Sequence, residues 1–387
     1  MIPVDLERFN REGYLILRDV VSPEQLEPLR ASAERALQMR WPDGIPPDAF
    51  QPMIHGLQQY VDSESVNLIE FCFRDEILQA NRKLMGTSMV APAAIFMMNN
   101  PVVDHGPWWW HRDISPLVAK GPLEGLIQAN RAHGPCYLHW NVALYDDDVY
   151  WVVPGSHDRF NTEEENRQLS AVDHHYGNGQ LPQGTKRHEP LPGSVCADLK
   201  AGDAVVNFLE TLHWGSYYGT KLRRTYHVGY RTFAGPRFFY EGWTRHWDNA
   251  ELLSERAQAV LRQCADLYDQ ECDQVEGVFR AVLAGDELRF RAELARLHPG
   301  EEARFVCAIH LCRIAQEMTQ GGREEFGCRF SGEERAALWQ RFAALDAALL
   351  RDQEHWVPGF QIKGPTRYRL NELPPEFRLD ELVASWN

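Results

Sequence analysis

This 387-residue sequence lacks the marks of an exported or zinc-stapled protein. Its eight cysteines include no Cys-x-x-Cys pair, and no Cys/His group has zinc-finger spacing. They read as buried thiols of a reducing compartment. No basic segment followed by an apolar one opens the chain, and no apolar run approaches the ~18 residues of a membrane span. A cytoplasmic protein without a membrane partner is expected. Basic charge is in deficit, 40 Lys and Arg against 55 Asp and Glu, for a net charge of −15. Such a surface repels polyphosphate and anionic lipid, so nucleic acid is not an expected partner. There is also no internal repeat and no low-complexity tract. With 44% hydrophobic and 25% charged residues, the composition excludes disordered, collagenous and coiled-coil classes. The length is ample to bury a large core without staples.

Three textures follow one another. Residues 1–88 read as mostly helical with one strand at 13–17, and Ser22-Pro-Glu-Gln25 is a capping box opening a helix to about Met39. Residues 90–235 break into short β-rich runs, at 93–97, 137–145, 149–153, 204–208 and 225–232, separated by Gly, Pro, Asn and Asp. That pattern predicts a sandwich or jelly roll. Within it, the polar stretch 158–195 is long for a plain loop and reads as a lid or an insert. Residues 245–354 turn helical, with Leu253, Ala257, Val260, Leu261, Cys264 and Leu267 keeping a 3.6-residue period. This stripe reads as a core-facing helix face, with a homodimer surface or an active-site cap as the alternatives. A Pro-rich tail follows from Pro358.

The chemistry concentrates in two places. His111-Arg-Asp113 presents an imidazole and a carboxylate two residues apart, on one side of extended backbone. Alone, the pair is common by chance. At 102 residues further on, a Gly202-Asp203 turn starts an apolar strand that delivers His213. Two antiparallel strands of one sheet can bring these residues together as a two-histidine, one-carboxylate facial triad, which leaves open positions on iron. Arg224, eleven residues later, offers a guanidinium for a carboxylate.

With these residues in place, the chain resembles the phytanoyl-CoA dioxygenase family of Fe(II)- and 2-oxoglutarate-dependent oxygenases. The matching pieces are the Phe9-to-Leu17 opening, the His-x-Asp, Pro154-Gly-Ser-His157, the Gly202-Asp203 strand to His213, and the step from His213 to Arg224. The resemblance spans about residues 5–235. It implies an α+β fold with a double-stranded β-helix (jelly-roll, cupin-like) core, N-terminal helices and an α-helical C-terminal extension, divided as 1–244 and 245–387. It further implies His111, Asp113 and His213 as catalytic metal ligands, and Arg224 as the clamp on the 2-oxoglutarate carboxylate. Asn99 and Ser216 are further cosubstrate contacts. Fe(II), 2-oxoglutarate and O2 are the expected cofactors, and a small-molecule metabolite or natural-product precursor the expected substrate. Asp146-Asp-Asp148 and Asn141 depart from the family pattern. The carboxylate at 113 disfavours a halogenase.

Other features have plainer readings. His246-Trp-Asp248 opens a helical region without a strand-borne partner and is not expected to bind metal. His157 reads as structural. His105, His139 and His227 are either cavity-lining or core histidines. Trp108, Trp109, Trp110, Trp140, Trp151 and Trp214 either fill the sandwich or wall the substrate; Trp110 and Trp140, with Arg112 between the ligands, are the residues taken as substrate contacts. A cupin-like isomerase or lyase that uses no 2-oxoglutarate is the competing enzyme reading and would not need Arg224. A non-catalytic binding module is the third reading.

Overall fold

The computed structural model describes residues 2–49, 51–107, 110–113, 121–170, 189–234, 243–245, 247–298, 304–351 and 378–386. Trp108, Trp109, His246, residues 171–188 of the polar stretch and most of the Pro-rich tail lie outside the described residues.

The N-terminal part is set by local signals. Asp5 caps α1 (Leu6–Glu12), and Gly13 ends it in the left-handed region at φ 79° before β1 (Tyr14–Leu17) begins. A side chain at 13 would run into the His157 ring, 2.3 Å from where its Cβ would lie. The Gln25 side chain returns to the Ser22 amide (3.3 Å) at the start of α2 (Pro23–Arg40). Then come β2 (Met53–His55), α3 (Asn67–Cys72), α4 (Asp75–Met85), β3 (Val90–Asn99) and β4 (Gly106–Pro107). They are followed by α5 (Gly121–His133), β5 (Tyr137–Ala143), β6 (Trp151–Val152), α6 (Glu163–Ser170) and β7 (Val195–Cys196). The β-rich zone closes with β8 (Ala204–Phe208), β9 (His213–Trp214), β10 (Ser216–Tyr217) and β11 (Arg224–Thr232).

The protein thus combines helices with antiparallel sheets. The largest sheet has the order β1-β8-β5-β11-β3-β2, every pair antiparallel. Because successive side chains point to opposite faces, its register sorts residues into two sets. On one face Leu15, Val206, Trp140, Val228 and Ile95 join the main core with the N-terminal helices. On the other face lie Asn207, His139, Asn141, Thr225, His227, Phe96 and Met98. Here Tyr14, Ala143 and Val205 pack with Tyr150, Val152, Ala197 and Leu199. Val152 belongs to the three-stranded sheet β7-β6-β9.

The C-terminal helices are α7 (Glu255–Ala284), α8 (Glu287–Leu297), α9 (Arg304–Thr319), α10 (Glu324–Gly327), α11 (Gly332–Arg351) and α12 (Leu379–Ala384). The first half of α7, through Ala257, Leu261, Cys264 and Tyr268, belongs to the main core; its second half, from Cys272 to Val282, builds a separate core with α8, α9, α11 and α12. The stripe expected as a core face or a dimer surface is therefore used within the chain, which removes the basis for a homodimer through it. Arg231 on β11 and Glu271 on α7 form a buried ion pair that ties sheet to helix, with Arg231 over the Phe233 ring (4.4 Å). Among the described residues no helix is long and apolar enough to cross a membrane.

Candidate functional site

His111 and His213 face each other across an isolated antiparallel bridge, with amide-to-carbonyl distances of 3.0 and 3.1 Å in the two directions. Asp113 is anchored by its amide on the Leu209 carbonyl (2.9 Å). The turn at 154–157 sets this loop: Ser156 Oγ accepts from the Leu212 amide (2.8 Å), and Gly155 adopts φ 72°. His157 serves the same scaffold, its Nε2 lying 3.1 Å from the Asn10 carbonyl and its ring 4.6 Å from Phe208.

The outcome is that one donor atom from each of His111, Asp113 and His213 lies within 4.8 Å of the others. Asp113 Oδ1 is 3.6 Å from His111 Nε2 and 3.7 Å from His213 Nε2. Both separations are near the roughly 3 Å that two donors to one transition-metal ion keep. The protonation states suit ligation. Burial pushes the Asp113 carboxyl up, but His213, His139 and His111 outweigh it and hold the group well below the usual carboxylate range. Burial lowers His213 to about 4, so its ring is neutral at neutral pH. His213 Nδ1 sits 2.9 Å from the Thr211 carbonyl; as donor there, it leaves Nε2 with a free lone pair.

Beside the triad is a cavity of about 110 Å³ whose walls include His139, Asn141, Tyr150, Tyr217, Arg223 and His227. His139 Nδ1 lies 3.3 Å from Asp113 Oδ2, and His139 Nε2 lies 3.1 Å from His227 Nδ1. His139 and His227 are thus cavity-lining; His105 is not among the described lining residues.

Several residues expected in the site lie elsewhere. Arg224 pairs with Glu34 (2.8 Å) and donates to Asn100 Oδ1 (2.8 Å). Arg223 lines the cavity instead, because 223, 225 and 227 share a face of extended backbone and 224 and 226 share the other. Asn99 has the same misfit: its Nδ2 donates to the Pro52 carbonyl (3.0 Å), and the cavity wall is built by its neighbour Met98. Ser216 stands between the two lining residues Gly215 and Tyr217. Arg112 is buried and donates to the carbonyls of Ser156 (2.6 Å), Glu210 and Arg159, so it braces the loop rather than meeting substrate. Trp140 is on the core face, its indole donating to Asn81 Oδ1 (2.9 Å). Trp110 stacks on Trp214 at 4.7 Å in a separate cluster and donates to the Glu189 carbonyl.

Sequence reasoning missed Arg223 and its partner. Arg223 Nε donates to Asp147 Oδ2 (2.9 Å), and the Thr225 hydroxyl donates to the same oxygen (2.6 Å). Burial raises the Asp147 carboxyl, but Arg223 and these hydrogen bonds win and keep it ionised. Arg223 Nη1 is buried without a hydrogen-bond partner among the described residues. The signal was available: Asp147 is the central residue of the departure at 146–148.

A paired-sheet fold with a two-histidine, one-carboxylate centre beside a buried guanidinium defines a metalloenzyme-type site. The family model for phytanoyl-CoA dioxygenase matches residues 9–224, more than half of the chain, and the chain belongs to that family. It is an enzyme of the dioxygenase type. A search of the curated proteins finds no match. Similar solved structures include the non-heme alpha ketoglutarate dependent carbocyclase SnoK from nogalamycin biosynthesis, 17% identical, covering 59% of this chain and 83% of that one, with a TM-score of 0.40. EctD from S. alaskensis, crystallised with 2-oxoglutarate and 5-hydroxyectoine, is 17% identical over 60% and 77% of the two chains, at 0.41. AviO1 from Streptomyces viridochromogenes Tue57 is 20% identical over 62% and 100%, also at 0.41.

Proposed function

We propose that this protein is an Fe(II)- and 2-oxoglutarate-dependent dioxygenase that oxidises a small-molecule metabolite or natural-product precursor. Its catalytic unit would be residues 1–244, the two facing sheets forming a double-stranded β-helix core, with 245–387 as a helical extension. The observation that carries the reading is the meeting of His111, Asp113 and His213 beside a cavity holding an unpartnered Arg223 Nη1.

The residues fit iron and 2-oxoglutarate. Neutral His213, His111 and ionised Asp113 would hold Fe(II) on one face and leave the cavity side open. Arg223, already fixed through Nε by Asp147, would present its remaining N–H groups to the distal carboxylate of 2-oxoglutarate. The Asn141 side chain, buried and without a hydrogen bond among the described residues, faces the same cavity and can orient a bound oxygen-bearing group. With iron and cosubstrate bound, O2 is reduced as 2-oxoglutarate becomes succinate and CO2, and a substrate C–H bond is oxidised. The chain's own part is to fix donor geometry, neutralise the cosubstrate charge and keep water out. A cupin-like enzyme without 2-oxoglutarate has no use for a buried guanidinium facing the metal cavity.

The test is an anaerobic titration of metal-free protein with Fe(II) and then 2-oxoglutarate, followed by the visible charge-transfer band of the chelate. A band present in wild type and absent in His213→Ala supports the proposal. Iron binding without a band sinks the 2-oxoglutarate reading in favour of the cupin-like alternative, and no iron binding sinks both.

A further inference from the structure

A second space, much larger than the metal cavity, lies between the sheet and the C-terminal helices. Its volume is about 690 Å³, within the roughly 300–1,000 Å³ common for small-molecule sites. One wall is the edge of β3 from Ala93 to Phe96, joined by His55 and Gln58; the opposite wall includes Trp243, Tyr268 of α7 and Phe326 of α10. Phe96 also lines the metal cavity. Its ring stacks on His227 at 4.5 Å and lies 5.5 Å from His139, the histidine bonded to Asp113. Phe96 is therefore a wall shared by the two spaces.

The wall chemistry selects the occupant. Its ionic groups are answered within the protein: Glu271 by Arg231, Arg245 by Asp269, and Arg323 by Glu325. Glu324 is exposed. The uncharged polar side chains of the wall are those of Gln58 and Gln59. Phe96, Trp243, Tyr268 and Phe326 supply flat apolar surface around them.

We propose that this chamber holds the body of the substrate. The occupant is a neutral, ring-bearing molecule with a carbonyl or ether oxygen that accepts from the Gln58 side-chain amide. The C-terminal helices then form half of the substrate site. The inference rests on reading His111, Asp113 and His213 as the reaction centre, which the occupant reaches past Phe96.

The full-length protein, in separate samples loaded with Zn(II) or with Mn(II), can be tested by fluorine NMR with a neutral trifluoromethyl-naphthalene carboxamide as probe. Millimolar or tighter binding is expected. Ala94→Trp, which fills the chamber, should weaken it at least tenfold, and Gln58→Leu should weaken it several-fold; the second carries the comparison if the first does not fold. Mn(II), shown bound by its electron paramagnetic resonance, should broaden the probe signal. No binding, or binding unchanged in the folded variants, overturns the chamber. Bound probe that bound Mn(II) fails to broaden overturns its role as the substrate site. Failure of Mn(II) to bind, with the probe still sensitive to Ala94→Trp, fells the metal reading instead and leaves the chamber as a binding site.

Discussion

The two faces of the six-stranded sheet share the same strands and differ in everything else. The helix-side face presents Leu17, Phe208, Trp140, Val142, Tyr226 and Met97, and packs shut. The metal-side face presents Asn207, His139, Asn141, Thr225 and His227, and keeps cavities open. Every residue of β11 and β5 is nevertheless buried. The usual contrast between an oily and a wetted face is therefore absent. The contrast here is between a face completed by protein and a face completed by ligand.

The most damaging way to break that division is from the closed side. Trp140 is almost fully buried, and Trp140→Ala should cost about 3–5 kcal/mol of stability through the lost packing and the orphaned Asn81. Metal affinity of the molecules that remain folded should stay within a few-fold. Denaturant unfolding paired with Co(II) titration measures both. A folded Trp140→Ala protein that no longer binds metal would show that the faces are not independent.

Glu210, just beyond β8, asks what happens to a charge that neither face completes. It is 1% exposed, and its Oε1 has no partner among the described residues. Burial, foremost, raises its carboxyl to about 7. The folded state then holds this proton more tightly than the unfolded chain, so stability from this group is present at low pH and is lost as pH rises from about 4.5 to 7. At 1.36 kcal/mol per pH unit the loss is about 3 kcal/mol. Glu210→Gln should thus match wild type near pH 4.5 and melt several degrees higher at pH 8. Parallel melting curves across that range would count against the buried, protonated carboxyl.

How far the site was legible follows from the same two faces. His111, Asp113 and His213 could be read because a short motif and a strand-end histidine carry the signal locally, and the bridge between them is the pairing their spacing allows. Arg224, Asn99 and Ser216 each miss the cavity by one residue. Phasing a strand needs a visible alternation, and Arg-Thr-Tyr-His-Val-Gly-Tyr-Arg-Thr, buried on both faces, has none to show the eye. Had the phase been counted back from His227, Arg223 would have been found. The first half of α7 was read correctly as a core-facing stripe, but its partnership with two cores depends on tertiary packing that periodicity does not encode.

The arginine pair sharpens the contrast to a single residue. Arg223→Ala should raise the 2-oxoglutarate concentration needed for the charge-transfer band about 100-fold, since a charge-assisted pair contributes about 2–3 kcal/mol. Arg224→Ala should change it less than threefold and cost only a modest loss of stability, as Glu34 is half exposed. The reverse order of effects would restore Arg224 as the clamp and require a strand phase opposite to the one seen.

The smallest effect comes from a residue that touches no ligand and orients one that does. A carboxylate can only accept, so His139 Nδ1–H donates to Asp113 Oδ2, while its Nε2 shares a hydrogen bond with His227 Nδ1, whose ring burial above all keeps neutral. Asp113 is thereby held with Oδ1 turned to the two ligand histidines. His139→Phe keeps the volume and removes both bonds, and should weaken Fe(II) binding about tenfold; His139→Gln, which still offers a donor, should recover most of it. A structural role alone would predict lower melting temperatures in both variants with unchanged metal affinity. Tenfold weakening in the first and recovery in the second would instead show that the open face is built two layers deep, with the second layer serving the metal rather than the fold.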